Sequence, residues 1–462
     1  MSSKKEEMLL LKKEKGYDKP YKTQLKKIFD FCDGYKTFIK NAKTERVFVK
    51  DAVNLLKENG FKEFERGMKL KEGDKIYFEN RQKSLIAVKI GKEALDKGVS
   101  LIGAHIDSPR LDLKPVPLFE SDGQLYIKTH YYGGIKKYQW PIIPLSLYGT
   151  AILKNGKSVD IVIGEDENDP VFVITDILPH LGNNQYKKPA GEIIHPEQLN
   201  AIGATIPYED EEAKEKIKLN FMSILNSKYG ITEEDLITAE LTLVPSLMPR
   251  DAGLDKSLVV AYGQDDRVCA YTGLMALLDS KNDKKTQVLL LSDKEEVGSM
   301  GNTGMQSNFL EFALEELAEN KNVKLRDILS NTGCLSADVC AAFDPSFPEV
   351  FEKNNSVFLN GGVALMKYTG SRGKSGSSDA SAEFLGKVRG IFKKSNVKWQ
   401  IGELGKTDEG GGGTIAQFVA NLGCDVIDCG VALLSMHSPY EVSAKYDVYM
   451  AYKSYKKFYE NY

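Results

Sequence analysis

Short apolar runs alternate with charged stretches of helical periodicity near both ends of the chain, and this pattern predicts the fold. In the first hundred residues a helical stretch at 51–59 precedes apolar runs at 85–90 and 99–102. The alternation returns after residue 257, with apolar runs at 258–261, 288–291, 334–337 and 430–434. Strands separated by helices favour an α/β fold with a doubly wound, mostly parallel sheet.

The middle of the chain has a different texture. Its short strand-like runs are divided by Gly, Asn and Asp turns, and they lie at 126–132, 146–153, 158–163 and 171–174. Closely spaced strands without intervening helices indicate a separate β-rich part. We therefore predict that residues 1–114 and 249–462 form one α/β domain and that residues 115–248 form an inserted β-rich domain.

Composition excludes several classes of protein. The 462 residues are 42% hydrophobic and carry a net charge of −3, so there is no electrostatic reason to bind nucleic acid. No stretch approaches the roughly 18 consecutive apolar residues of a membrane span. The charged segment 1–17 does not resemble an export signal, and the six cysteines form no C-x-x-C pair. We expect a cytoplasmic protein with reduced thiols, and no nucleic-acid or membrane partner.

Two of the five histidines and several acidic residues directly follow the apolar runs of the α/β part. They are His105, Asp265, Asp266, Glu295, Glu296, Asp338 and His437. Ligands of a parallel α/β sheet bind in the crevice at the carboxyl ends of its strands, so these side chains are expected to converge there. Each histidine alone is also compatible with a hydrogen-bonded residue at a strand end.

Carboxylates gathered in one crevice repel one another, and divalent cations relieve that repulsion. Two ions about 3.5–4 Å apart need a shared carboxylate and about two further ligands each, which two histidines and three acidic residues provide. One glutamate of the 295–296 pair is then left to act as a base on water. Asp107 lies two residues after His105 and is predicted to accept its second ring N–H, although it is equally compatible with a simple turn residue.

Five motifs in this order resemble those of the M18 aminopeptidases, the aspartyl aminopeptidase family within the dinuclear-zinc exopeptidases. The motifs are His-Ile-Asp-Ser-Pro-Arg at 105–110, Gln-Asp-Asp-Arg at 264–267, Asp-Lys-Glu-Glu-Val-Gly-Ser at 293–299, Ser-Ala-Asp at 336–338 and Met-His-Ser at 436–438. The likeness extends to the inserted part, with Tyr-Gly-Gly at 132–134 and Pro-His-Leu at 179–181. Each motif alone is weak, but the ordered set is specific.

The resemblance implies a metallopeptidase domain with an inserted dimerisation domain, and it implies a role for each site residue. One zinc ion takes His105 and Asp338, the other takes Glu296 and His437, and Asp265 bridges them. Glu295 is the general base, and the Asp265–Asp266 peptide bond is cis. In the implied mechanism the metals lower the pKa of a water, Glu295 moves its proton to the leaving amine, and an amino-terminal residue is released.

Further candidate residues belong to substrate binding. Gly411, in the glycine run 410–413, precedes a helical pattern and offers backbone N–H groups to a substrate oxygen, although a flexible helix entry explains the run equally well. By family likeness, Arg372 or Lys374 pairs with an acidic first residue of the peptide substrate. Alternatively, these two side chains are simply solvated charges of a surface loop. By the same likeness, His180 reaches the site of a neighbouring subunit. Asn184 stands where the eukaryotic members of the family usually have a histidine. This difference argues against a strict preference for Asp or Glu, so we expect the first residue of the peptide substrate to be acidic or neutral.

We therefore expect a metal-dependent aminopeptidase acting on small peptides, with two divalent ions, zinc before manganese or cobalt, and a large homo-oligomer, a dodecamer by family likeness. One alternative is a dinuclear-metal amidohydrolase or carboxypeptidase acting on N-acyl amino acids or peptides, because the metal chemistry is the same. Another is a non-catalytic scaffold on the same fold, against which the spare base argues.

Overall fold

A computed structural model of the chain describes residues 4–11, 15–17, 22–281 and 284–462. The chain divides into two compact units. The first unit comprises residues 1–107, 249–436 and 441–462, and the second comprises residues 108–248 and 437–440. Within the described ranges, no helix has the length and apolar content that crossing a lipid bilayer requires.

The described residues form ten α-helices. They are α1 (Lys4–Leu9), α2 (Lys22–Asn41), α3 (Glu45–Glu58), α4 (Lys216–Tyr229), α5 (Gln264–Asp279), α6 (Phe309–Lys321), α7 (Leu325–Ser330), α8 (Ala382–Lys394), α9 (Ala416–Asn421) and α10 (Lys445–Asn461). All except α4 belong to the first unit.

The same described ranges contain 23 β-strands. They are β1 (Lys62–Glu63), β2 (Lys75–Asn80), β3 (Ser84–Lys89), β4 (Ser100–His105), β5 (Arg110–Ser121), β6 (Gln124–Tyr132), β7 (Leu145–Ile152), β8 (Ser158–Ile163), β9 (Val173–Ile174), β10 (Asn200–Ala204), β11 (Glu240–Pro245), β12 (Arg250–Ala252), β13 (Leu258–Ala261), β14 (Gln287–Ser292), β15 (Gly333–Ser336), β16 (Cys340–Ala341), β17 (Val363–Met366), β18 (Gly370–Ser371), β19 (Trp399–Ile401), β20 (Gly411–Gly412), β21 (Asp425–Gly430), β22 (Ala432–Leu434) and β23 (Glu441–Ala444).

A nine-stranded mixed sheet is the centre of the first unit, in the order β1-β2-β3-β14-β4-β15-β21-β17-β19. Its four middle strands, β14, β4, β15 and β21, are parallel to one another. Side chains alternate across it: Leu289 and Leu291 join the core with α5 and α10, whereas Val288 and Leu290 join the core with α6. Helices cover both faces, which confirms the predicted α/β class; the parallel pairing is concentrated in the middle of the sheet.

Two of the strands that precede predicted site residues belong to a second, five-stranded sheet of the first unit. Its order is β12-β13-β23-β22-β16, and β13 pairs antiparallel with β23. The expectation that all the site residues follow strands of one parallel sheet is therefore wrong. His105, the glutamate pair and Asp338 follow strands of the large sheet, whereas Asp265 follows β13 and His437 follows β22. An apolar run predicts a buried strand but does not specify its pairing partner.

The second unit is an antiparallel seven-stranded sheet, in the order β8-β7-β11-β5-β6-β10-β9, with α4. Residues 108–114, which the sequence pattern grouped with the α/β domain, belong to this unit. The reason is that β5 pairs with β6 at both ends, from Arg110 opposite Tyr132 to Ser121 opposite Gln124, across an irregularity between Leu113 and Leu118. A strand paired in this way cannot be divided between two units.

Helix α5 packs closely on the large sheet because Gly273 has no side chain. A Cβ atom there would lie 3.1 Å from Leu289 Cδ1 and 3.4 Å from Ile102 Cγ2, whereas a Cβ at Gly386 of α8 would meet nothing within 4 Å.

The variants Gly273→Leu and Gly386→Leu gain the same helix propensity, so a comparison of their stabilities measures the effect of packing alone. We predict that Gly273→Leu has a lower free energy of unfolding than Gly386→Leu by about 1–3 kcal/mol, measured by urea denaturation. Equal stabilities would contradict this packing.

Candidate metal centre

His105 is the last residue of β4, and acceptors surround its imidazole. Nδ1 lies 3.0 Å from the carbonyl oxygen of Asp107, and Nε2 lies 3.1 Å from Asp265 Oδ1. The backbone N–H of His105 donates to Asp266 Oδ2 at 3.3 Å. Because a carbonyl oxygen only accepts, Nδ1 carries a proton and directs Nε2 toward Asp265. This is the arrangement in which a neutral imidazole offers Nε2 to a metal ion.

Asp265 and Asp266 occupy the turn between β13 and α5. Gly263 is the N-cap of this helix, with φ 66°, and the two aspartates after it have non-helical torsion angles. Their peptide bond is cis, as the resemblance implied. The left-handed backbone at residue 263 favours glycine, and a Cβ there would also lie 1.7 Å from the Arg267 guanidinium. The backbone N–H of Asp265 donates to the carboxylate of Glu441 at 3.1 Å.

Asp338 follows β15 and completes a buried group with His105 and Asp265. The possible ligand atoms of these three side chains all lie within 4.8 Å of one another. The parallel pairing of β4 with β15, which places Gly103 opposite Ser336, accounts for this proximity. The structure thus brings together three of the five predicted ligands within one unit.

The two glutamates begin a 3₁₀ turn, Glu295–Val297, directly after a left-handed Lys294 at φ 69°. Asp107 holds this turn, because its Oδ1 accepts the N–H of Glu295 at 3.1 Å and its Oδ2 accepts the N–H of Glu296 at 3.2 Å. We expected the Asp107 carboxylate to accept the ring N–H of His105. Its backbone carbonyl is closer, at 3.0 Å against 3.4 Å for Oδ1. The carboxylate instead orients the glutamate pair.

The electrostatics of this group fit a cation. Burial raises the pKa of the Asp338 carboxyl well above its usual value, and the charge of Asp266 raises it further. Burial lowers the pKa of His105, but hydrogen bonds to Asp107 and Asp265 outweigh this effect and raise it well above its usual value. Both shifts mean that the group favours the uptake of positive charge. Imidazole nitrogen and carboxylate oxygen are zinc ligands, so a divalent ion can supply that charge.

His437 belongs to the second unit, in the segment 437–440, and has a left-handed backbone at φ 64°. Its Nδ1 lies 2.8 Å from the carbonyl oxygen of Gly134. As at His105, a carbonyl oxygen engages Nδ1 and leaves Nε2 to bind a ligand. A Cβ at Gly134 would lie 3.3 Å from this nitrogen, which favours glycine there.

The predicted substrate residues lie in several places. His180 is exposed in the second unit, in the 3₁₀ turn Pro179–Leu181. Arg372 is exposed, and the Lys374 ammonium is 3.1 Å from Asp379 and 3.8 Å from the ring centre of Tyr368. Gly411 is not at a helix start, because β20 pairs with β18 and α9 begins only at Ala416. Its φ of 122° and the approach of Gly370 explain the glycine.

Two contacts were not anticipated from the sequence. The acceptor role of Gly134 lies within the quoted Tyr-Gly-Gly motif, where no role was predicted. Glu441 is the first residue of β23 and is only 1% exposed. A charged residue at the start of a strand usually points to solvent, so nothing in its local sequence marks it as buried.

Comparison with known proteins gives a consistent result. The family model described as "Aminopeptidase I zinc metalloprotease (M18)" matches residues 38–459. The chain is 50% identical over 461 residues to "Probable M18 family aminopeptidase 1" of Clostridium acetobutylicum, with 98% of this chain and 99% of that protein covered.

Solved structures agree. The crystal structure of aminopeptidase I from Clostridium acetobutylicum superposes with a TM-score of 0.93 at 48% identity, over 98% of this chain and all of that one. An M18 aminopeptidase from Thermotoga maritima has the same TM-score at 43% identity, also covering 98% of this chain and 100% of that chain.

The role of the Asp107 carboxylate in holding the backbone of the two glutamates can be tested by removing it. Asp107→Ala removes both acceptors of the glutamate backbone, so zinc affinity is expected to fall by about 10–100-fold, measured by competition with a chromophoric chelator. The control is Asp344→Ala, which removes an acceptor of a turn N–H, that of Ser346, elsewhere in the unit. Unchanged zinc affinity in Asp107→Ala would show that the glutamate turn needs no such support.

Proposed function

The chain belongs to the M18 family of zinc aminopeptidases, and we propose that it removes amino-terminal residues from small peptides at a centre of two divalent ions. The observation that carries this proposal is the buried group of His105, Asp265 and Asp338, with ligand atoms within 4.8 Å of one another. Such a group of acids around one imidazole is favourable only with bound protons or a cation, and in this family zinc is the metal.

We assign one ion to His105 and Asp338, the other to Glu296 and His437, and Asp265 to both. Two features support the assignment. In each histidine, Nδ1 is engaged by a backbone carbonyl, which leaves Nε2 for a metal. Asp107 fixes the backbone at Glu296. Zinc is proposed before manganese or cobalt, although these ligand types accept all three ions.

When bound, the ions supply Lewis acidity, which acidifies water and polarises the scissile carbonyl. Glu295 then accepts the proton from the attacking water and delivers it to the leaving amine. Its position supports this role, because Glu295 Oε2 lies 3.9 Å from His105 Nε2 and its backbone is held by Asp107. Asp107 thus serves catalysis by orienting both glutamates and, through its carbonyl, His105.

Substrate recognition is proposed for residues outside the metal ligands. Arg372 or Lys374 would pair with an acidic first residue, Gly411 would offer backbone groups, and His180 would act at a neighbouring subunit. The exposure of the two cations and of His180 is compatible with such roles. The ion pair of Lys374 with Asp379 competes with an acidic substrate, so a preference for neutral first residues is equally consistent.

Assembly and location complete the proposal. A solved structure of S. cerevisiae mApe1 that is 25% identical to this chain, with a TM-score of 0.76, is described as a dodecamer. We propose that this chain also forms a large homo-oligomer through its inserted unit, residues 115–248 in the predicted division. Exposed apolar side chains of that region support this proposal, including Ile206, which is 70% exposed, and Leu181, which is 68% exposed.

The six cysteines are all buried and free, which favours a reducing, cytoplasmic location.

Replacing the proposed base tests the chemistry. Glu295→Gln is expected to keep two equivalents of metal by elemental analysis but to lose kcat by about 10²–10⁴-fold. The reason is that the amide preserves shape and cannot take up a proton. Glu352→Gln, at an exposed glutamate that caps the 3₁₀ turn Lys353–Asn355, is a suitable control. Normal turnover in Glu295→Gln would refute the assignment of this residue as the base.

The reaction class is tested with paired substrates. A panel of aminoacyl amides is assayed with Zn²⁺, Mn²⁺ or Co²⁺ beside the N-acetyl form of each. We expect hydrolysis only of substrates with a free amino terminus, because the reaction removes that residue. Cleavage of the acetylated forms would favour an amidohydrolase, and two bound metals without any turnover would favour a scaffold.

A further inference from the structure

Asp265 is the residue on which the proposed centre depends most, because it is assigned to both ions, yet it lies in an irregular turn. Residues 265 and 266 have non-helical torsion angles, so regular helical hydrogen bonds do not orient the Asp265 carboxylate. The first N–H groups of a helix lack intrahelical acceptors and need another partner. The orientation of this carboxylate must therefore come from contacts outside α5.

Glu441 provides such a contact. Strand β23 runs antiparallel to β13, and the register places Glu441 opposite Ala261, just before the turn. From this position Glu441 Oε2 accepts the backbone N–H of Asp265 at 3.1 Å. Glu441 is 1% exposed and Asp265 is 3% exposed, so bulk water does not replace this bond.

The neighbouring residue, Gln264, also joins this turn to β23. Its Nε2 donates to the carbonyl oxygen of Glu441 at 2.8 Å, and its Oε1 accepts from Ser443 Oγ at 2.6 Å. Glu441 is thus joined to the turn twice, through its carboxylate to residue 265 and through its backbone to residue 264. The strand and the turn are held in one relative position.

We propose that Glu441 is a positioning residue of the metal centre. By holding the Asp265 N–H, it sets the direction in which the Asp265 carboxylate points toward His105. This inference rests on the proposed two-metal function. The feature that matters is the reach of the Glu441 acceptor oxygen rather than its charge.

Two conservative variants of Glu441 distinguish the effect of its side-chain length from the effect of its charge. Glu441→Gln keeps an acceptor oxygen at the same distance and removes the charge, whereas Glu441→Asp keeps the charge and is one methylene shorter. Asp447→Ala is the matched control. Asp447 is also a buried carboxylate of the first unit, and it accepts the backbone N–H groups of Asn360 and Gly362, at 2.7 and 2.8 Å.

Zinc affinity of the metal-free proteins is measured by chelator competition, with circular dichroism to verify folding, and kcat and KM are measured after metal loading. We expect Glu441→Asp to bind zinc about 10–100-fold more weakly and to lose kcat with little change in KM. Glu441→Gln is expected to retain most of the affinity and turnover. Asp447→Ala is expected to lose stability but not zinc affinity.

Several results would overturn the inference. These are wild-type affinity in Glu441→Asp, equal losses in the Asp and Gln variants, or an equal loss in Asp447→Ala. If the unaltered chain bound no metal, the proposed function itself would fail, and this outcome is distinct from a failure confined to the variants.

Discussion

The structure depends on buried acidic groups that cannot all be charged without a compensating cation. Asp265 and Asp338 are buried next to the imidazole of His105, and the buried Asp266 accepts the backbone N–H of His105. Burial raises the pKa of Asp266 and Asp338 well above the usual value for a carboxyl group. Such an arrangement is unfavourable unless protons or metal ions neutralise it.

Much of this arrangement could be predicted because local sequence determines where strands end. The apolar runs at 258–261 and 288–291 coincide with β13 and the interior of β14, and the polar segments after them contain candidate site residues. Apolar runs bounded by polar residues identify buried strands, and strand ends collect functional side chains. The ordered motifs then identified the family, which the model match over residues 38–459 confirms.

Other features could not be predicted because they depend on contacts between distant segments. The sequence around β13 does not reveal that it pairs with β23, some 180 residues later in the chain, rather than with the large sheet. The same holds for Asp107, whose carboxylate holds a turn almost 190 residues away, and for Glu441, which looks like a surface residue in the sequence. The glycine run 410–413 was expected at a helix start, but pairing with β18 places Gly411 and Gly412 in a strand.

In the proposed centre, two metal ions share the carboxylate of Asp265. An anomalous difference map from zinc-loaded crystals, recorded on both sides of the zinc absorption edge, would locate these ions. We expect two peaks about 3.5–4 Å apart, one next to His105 and Asp338 and the other next to Glu296 and His437, with Asp265 between them. A single peak, or peaks that do not contact Asp265, would contradict this assignment.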